Sequence, residues 1–454
     1  MDYRAALRRF TADRGGPFIG AAFGIYVCAA PGAAHGDPVV SLSDAGATAV
    51  VELAVPKEAE DGLKSELRVI PSLEFSLPKS IRLKMIGRFR ADATDHFEPG
   101  VPDDNSTDPI SRHTYLGDQA EMELREFYAQ IPLGDVFLTL GKQQIVWGKA
   151  DGLKLLDVVN PQSFREFILP EFDESRIPLW SVNAETRIRD IDLQFILIPE
   201  QTYHEIPKSD SPFAITSPRF VPPGVPGVPV TQLPANRPSR TLADADAGVR
   251  ASTFLGGWDL SLLYFFHYED IPAPSRQITR RGVIVQPEYD RAHLIGGAAS
   301  KAFGDLTLRA EAGYTVGRAL AVGDRRDADG VNESDVVAGV VGLDWSGFGD
   351  VFVSIQLFQD YVLNEPFGLY RPEADTTTTL FLRRKYMNDT VSLELRWLSN
   401  VNDGDGLIRP KAVYDLNDAV QVWVGADVFY GDGDGLFGQF RRNDRAVLGM
   451  SYGF

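Results

Sequence analysis

Basic side chains at every second position are the first residues here whose chemistry has a direction. Arg82, Lys84, Arg88 and Arg90 fall within one short run, with Ile81, Leu83, Met85 and Phe89 at the intervening positions. In an extended chain successive side chains point to opposite faces. The cations then make a row on one face and the apolar residues a stripe on the other. Arg187 and Arg189 repeat the spacing later, and Arg383 or Arg384 offers a further cation. Rows of Arg and Lys in a pore favour anions. A second reading stands beside this one, in which the cations pair with Glu123, Glu185, Glu311 or Glu394 and brace a wall. Arg309/Glu311 and Glu394/Arg396 offer such pairs directly.

The second candidate is the segment 147–179, WGKADGLKLLDVVNPQSFREFILPEFDESRIPL. It is far more apolar than a solvated connection, and long connections without secondary structure are uncommon unless they have a job. Asn160 followed by Pro161 reads as a helix start, with a short helix through Phe167. The expectation is that the segment folds into a barrel mouth as a constriction or plug, a lid on the outer rim being the alternative. Trp147, Lys149, Asp151, Lys154, Asp157, Asn160, Pro161, Arg165, Glu166 and Arg176 then belong to the narrow point.

Asp-x-Asp-Gly occurs three times, at Asp327/Asp329, Asp403/Asp405 and Asp432/Asp434. Clustered carboxylates suit Ca²⁺. None carries the twelfth-position Glu of a full calcium loop, so solvated acidic turns are the adopted reading and weak Ca²⁺ sites the alternative. No other cofactor is expected. The histidines are scattered, with neither metal-ligand spacing nor a Gly-x-Ser-x-Gly elbow, and an enzyme is not expected.

The elements that position these residues are strands. Period-two alternation recurs at Leu260/Leu262/Tyr264/Phe266/Tyr268, at Leu306/Leu308/Ala310/Ala312/Tyr314 and at Leu393/Leu395/Trp397. Tight Gly-, Asp-, Asn- and Pro-rich turns join strands in pairs, as at Leu255–Trp258 and Phe303–Asp305. Between the pairs the connections are long, the Pro-rich one over 200–242 most of all. It reads as an extended surface segment. Short turns alternating with long loops are the topology of an outer-membrane barrel, the turns periplasmic and the loops extracellular. A soluble β-sandwich lacks this rhythm.

The chain closes on Ala446, Leu448, Met450, Tyr452 and Phe454, alternating with Gly449 and other small residues. Gly449, Tyr452 and Phe454 resemble the signal read by the barrel assembly machinery. Seventeen clear strands and a weaker first one near 46–55 make eighteen, with sixteen the alternative, because both termini in the periplasm require an even number. The fold class expected is all-β, a transmembrane antiparallel β-barrel over 46–454, wide enough for an aqueous lumen. Its lipid face meets outer-membrane lipids and lipopolysaccharide.

Arg4, Arg8, Arg9 and Arg14, an apolar run over 17–30 and small residues near 34–36 have the anatomy of a secretory signal peptide. Residues 1–36 are read as that leader and 37–45 as a periplasmic segment. Losing four Arg and two Asp takes the formal charge from −18 to −20, and the single cysteine, Cys28, goes with the leader. Such a charge excludes a nucleic-acid binder. The location expected is the outer membrane of a Gram-negative bacterium.

The run Gly141-Lys142-Gln143, Trp147-Gly148, Asn160-Pro161 and Ile177-Pro178-Leu179-Trp180 resembles the hallmark of domain-of-unknown-function family 1302, proteobacterial outer-membrane proteins. The C-terminal FGQFRRNDRAVLGMSYGF is similar to that family's end. The resemblance implies a barrel moving lipid-like or hydrophobic compounds with a periplasmic carrier and an inner-membrane transporter. The function expected is therefore a conduit for lipid-like, hydrophobic or anionic compounds. A passive anion-preferring diffusion porin and a closed structural or adhesive barrel are the alternatives.

Overall fold

The computed structural model describes residues 40–58, 62–94, 97, 106–324 and 326–454. The leader expected over 1–36, with its cleavage site, lies outside the described residues. In chain order the strands are β1 (Ser41–Pro56), β2 (Lys64–Leu77), β3 (Ile81–Asp92), β4 (Thr114–Tyr115), β5 (Ala120–Leu133), β6 (Val136–Gln143), β7 (Leu179–Ile188) and β8 (Ile191–Ile198). There follow β9 (Val230–Gln232), β10 (Asp246–Leu255), β11 (Trp258–Tyr268), β12 (Ala273–Thr279), β13 (Gly282–Glu288), β14 (Arg291–Phe303) and β15 (Leu306–Ala321). The last are β16 (Val331–Phe348), β17 (Val351–Val362), β18 (Ala374–Tyr386), β19 (Val391–Asn400), β20 (Asp405–Asp415), β21 (Val420–Tyr430) and β22 (Arg445–Gly453).

Eighteen of these strands form one antiparallel wall, and β1 pairs with both β2 and β22, so the wall closes. Closure leaves no unpaired edge and satisfies the backbone within lipid. The sixteen-stranded alternative is overturned. β1 also begins earlier than expected, inside the segment assigned to 37–45, because Ser41–Ala47 continues the ladder against Pro71–Ser76 of β2. The short β4 rides on β5, while β9, β12 and β13 build a separate three-stranded sheet in the loops.

Alternation sorts the two faces. On β11, Leu262 is 71% exposed and its neighbour Leu263 only 4%. Ile295, Val341, Ile355 and Leu448 point outward in the same way. In water so much exposed apolar surface would drive association; in a bilayer it is the required lipid face. Phe254, Phe303, Phe348 and Phe454 are exposed at strand ends beside the short turns, as an interfacial aromatic girdle requires. The turns are tight: Gly256 and Gly257 take φ of 59° and 83° in the two-residue link from β10 to β11.

The long loops turn back over the mouth. Phe97, Phe213, Phe429, Phe437 and Phe440 bury one another there, with Phe167 packed among them. The Pro-rich connection is tied down where Arg219 Nη2 meets Asp403 at 2.7 Å and Ser217 Oγ donates to the Asp434 carbonyl at 2.7 Å. Its β9 pairs in parallel with β13.

Candidate functional site

The chain leaves the wall after Gln143 and returns at Leu179. Asn160 holds the two ends of this excursion together. Its Oδ1 accepts the Ile145 N–H at 2.7 Å, and its Nδ2 donates to the Ile177 carbonyl at 2.9 Å. That use of Asn160 explains why the helix expected from Asn160-Pro161 through Phe167 is absent. The side chain that would cap the first turn is spent on the loop ends. The next N–H donors are also committed, Gln162 to His204 Nδ1 and Ser163 to the Ser175 carbonyl. The segment instead runs extended past Pro161, turns at 165–168 and makes one helical turn at Phe172–Ser175.

One side of the excursion is apolar. Trp147, 1% exposed, sets its ring edge against Phe265, with centroids 5.6 Å apart, and donates Nε1–H to Gln194 at 2.8 Å. Leu156 and Val159 pack with it against Ile196, Leu263 and Leu294 of the inner wall. The wall makes room with glycine. A Cβ on Gly248 would stand 2.5 Å from the Trp147 ring, and one on Gly296 would stand 2.7 Å from Leu156. Glu311 then fastens the turn, accepting N–H from Lys149, from Ala150 at 2.8 Å and from Leu156 at 3.2 Å. Arg309 pairs with Asp151 and donates to the Lys149 carbonyl, and Lys149 Nζ reaches Asp259.

The other side is ionic. Glu166 receives Lys64 at 2.7 Å and Arg445 at 2.9 Å, while Arg165 pairs with Glu66. Burial works to raise the Glu166 pKa, but Lys64, Arg445 and Arg165 outweigh it and hold this carboxyl well below the usual range. Arg125 donates to the carbonyls of Asp173 and Arg176, Arg176 pairs with Asp157, and Arg68 with Glu174. The segment thus meets β2, β5, β8, β11, β15 and β22, strands on all sides of a closed wall. A segment with such contacts crosses the lumen.

The basic row divides. Arg88 pairs with Glu123 at 2.8 Å and Arg90 with Glu121 at 2.6 Å, both buried. His113 sits between the two carboxylates at 3.1 and 2.7 Å. Burial works against its charge, but Glu123 and Glu121 outweigh it and lift its pKa to about 10. The upper half of the row is therefore a braced wall. Arg82 and Lys84, nearer the periplasm, share the same face, are more exposed and make no ion pair among the described residues. Arg187 faces the lumen at the rim but is matched by Asp192 at 2.5 Å. Arg189 lies in the tight turn itself, at φ 56°, and leaves the expected row.

A cleft with a cavity volume of ≈ 280 Å³ remains between the crossing segment and the wall from β19 round to β3. Nine Lys and Arg line it against six Asp and Glu. Lys154 lies apart from this cleft, its Nζ 3.6 Å from Asp157 and 4.9 Å from the Phe172 ring. Burial presses its pKa down to about 8 against the pull of Asp157.

Other named residues have local roles. Asp403 accepts Arg219 and the Leu436 N–H, and Asp405 accepts the Phe437 and Gly438 N–H groups. Both carboxylates clamp loops. Asp327 and Asp329 accept the N–H groups of Gly330 and Val331, while Asp432 and Asp434 offer carbonyls to the same loops. Among the described residues no group of three or more His, Cys, Asp or Glu side chains is placed to hold a metal ion. Gly449 gives its inner space to the Trp423 ring, and Tyr452 stacks on Phe454 at 5.4 Å on the outer face.

Sequence reasoning named Glu123 as a bracing partner but overlooked Glu121 and Arg125 beside it and the run Lys64/Glu66/Arg68, which alternate as strictly as the basic row but with mixed sign. It also expected no apolar inner wall. The signal lay in Phe195-Ile196-Leu197-Ile198 and Leu262-Leu263-Tyr264-Phe265-Phe266, apolar on both faces as a strand covered on both sides must be.

A family model described as "Protein of unknown function (DUF1302)" matches residues 88–454. No curated protein matches the chain. Among solved structures, OccD3 (OpdP) of Pseudomonas aeruginosa superposes with a TM-score of 0.52 at 7% identity, covering 91% of each chain. OccAB2 of Acinetobacter baumannii gives 0.51 at 9%, covering 90% of this chain and 97% of its own. OccK2 (OpdF) of Pseudomonas aeruginosa, in complex with glucuronate, gives 0.50 at 11% over 90% and 97%. At such identities the likeness is one of fold.

Proposed function

The chain belongs to the DUF1302 family of proteobacterial outer-membrane β-barrel proteins, and we propose that it is a conduit for anionic compounds with apolar parts. Its mouth is narrowed by the 147–179 segment. The observation that carries this reading is the crossing segment itself. It leaves a cleft lined by nine Lys and Arg against six Asp and Glu, in which Arg88, Arg90 and Arg165 are matched from behind by Glu123, Glu121 and Glu66 while Lys411 makes no ion pair among the described residues. Guanidinium and ammonium groups that line a passage offer N–H donors to an anion and none to a cation. The glucuronate complex of the similarly folded OccK2 supports an anion as the class of cargo. In this proposal the cargo passes between the barrel, a periplasmic carrier and an inner-membrane transporter.

Planar-bilayer recording of the purified barrel under a salt gradient tests it. An anion-preferring reversal potential is expected. Cation preference overturns the reading. A passive anion-preferring porin is the second reading, favoured by Arg82 and Lys84, cations of the lower lumen that make no ion pair among the described residues. It predicts steady open steps from the barrel alone. A conduit awaiting a partner gives a low, intermittent conductance that rises when the segment is loosened.

A further inference from the structure

The turn at 163–170 has two faces. Ser163, Arg165 and Glu166 line the cation-rich cleft below it, whereas Phe164, Phe167 and Ile168 line a second cavity on its outer side. This outer chamber has a cavity volume of ≈ 540 Å³, within the roughly 300–1,000 Å³ typical of small-molecule sites. The Pro-rich segment contributes Val221 and Val225, and β13 contributes Val283 and Val285. Val221 and Val225, which line this space, are each about half exposed, so apolar surface there is left without a full protein covering.

One charged side chain, Arg276 of β12, lines the chamber among the described residues. Its Nη2 donates to the carbonyls of Asp324 at 2.6 Å and Asp327 at 3.3 Å. Its Nε has no hydrogen-bond partner among the described residues. The half-buried guanidinium is hydrogen-bonded by neutral carbonyls alone, with the Asp329 carboxylate near enough to feel its charge, and an incompletely satisfied cation lowers its energy by acquiring a hydrogen-bonded anion.

We propose that this chamber is a binding site for an amphipathic carboxylate, its apolar body among Val221, Val225 and Val285 and its head group on Arg276. The inference deepens the conduit reading and rests on it for the step that follows, in which the cargo passes the 163–170 turn into the cation-lined cleft. The order of environments fits a single molecule, since an apolar body and an anionic head each meet a matching surface on either side of that turn. A simple sugar acid has no apolar body to fill the chamber, and an uncharged hydrocarbon gains nothing from Arg276.

The test is equilibrium binding of radiolabelled decanoate, beside decanol, to the full barrel in lipid nanodiscs, with empty nanodiscs subtracted. Saturable decanoate binding is expected, at least about tenfold tighter than decanol, since a hydrogen bond to a charged group contributes about 1.5–3 kcal/mol and 1.4 kcal/mol is about tenfold. Arg276→Gln should remove that discrimination and leave decanol unchanged. Val285→Glu should abolish both, with heat-modifiable migration showing that each variant is a folded barrel. Absence of saturable binding, or binding indifferent to both substitutions, overturns the proposal. Neither residue lines the luminal cleft, so bilayer selectivity reports separately. Lost decanoate binding with normal anion preference sinks the chamber alone. Saturable binding with cation preference sinks the conduit alone.

Discussion

Replacing Glu311 by glutamine should free the turn that narrows the lumen while leaving the barrel closed. The carboxylate accepts three N–H groups of the crossing segment, two at Oε1 from Lys149 and Ala150 and one at Oε2 from Leu156. A glutamine amide keeps one oxygen. At best two of the donors retain an acceptor, now uncharged, and the third faces an NH₂ group that cannot accept. Hydrogen bonds to a charged group contribute about 1.5–3 kcal/mol and neutral ones about 0.5–1.5 kcal/mol. Two weakened bonds and one lost bond therefore cost the docked turn about 3–5 kcal/mol. Trp147 and Leu156 remain buried, each contributing on the order of 1.5–3 kcal/mol, so the segment stays in the lumen but the turn opens more often. With 1.4 kcal/mol per decade, hydrogen exchange at the amides of residues 149, 150 and 156 should quicken by at least about 10²-fold. Amides of β21 and β22 should not change. Bilayer recordings of the same variant should show larger or noisier conductance. Unchanged exchange at these three amides in a folded barrel would refute the assignment of Glu311 as the fastening point.

Four more outcomes follow from the same geometry. Arg82→Gln with Lys84→Gln should shift the reversal potential toward cations without altering heat-modifiable migration. Arg88→Gln or Arg90→Gln removes one partner of a buried carboxylate that keeps His113, costs less than the roughly 3–5 kcal/mol of a fully broken buried pair, and should show as a lowered unfolding transition. Gly248→Val places a methyl-bearing carbon 2.5 Å from the Trp147 ring, an overpacking worth about 1–3 kcal/mol, and should make tryptophan fluorescence more quenchable. Lys154 has its folded-state pKa depressed to about 8 by burial, so docking of the segment should strengthen as pH rises from about 8 toward 10.5, where the free side chain also loses its proton. The gain is up to about 3 kcal/mol, since each pKa unit corresponds to about 1.4 kcal/mol. Exchange corrected for its intrinsic pH dependence reads it, and a Lys154→Met variant that keeps the rise would disprove the attribution.

Much of this barrel was legible because a strand writes its environment into every second residue. The lipid stripe through Leu260, Leu262, Tyr264 and Phe266, the outward Leu448, Met450 and Tyr452, and the Gly- and Asp-rich turns each follow from local geometry. The rhythm of short turns and long loops needs no partner to be read. An excursion through 147–179 was legible too, since an apolar segment must bury itself against something.

What a one-dimensional pattern could not say is which charge meets which. Arg88 and Arg90 share their parity with Arg82 and Lys84, and only the register of β3 against β5 sets Glu123 and Glu121 opposite the first pair. Asn160 reads as a helix cap until the two ends of its loop come within reach of its side chain. Arg165 and Glu166 are two charged neighbours in sequence, and only the closed wall brings Glu66, Lys64 and Arg445 to them. Alternation is a property of one strand, and so the sequence carried the faces, the turns and the closure. Pairing depends on distances between strands far apart in the chain. The division of the cations into bracing and free, and the two cavities either side of 163–170, were therefore decided by the tertiary structure.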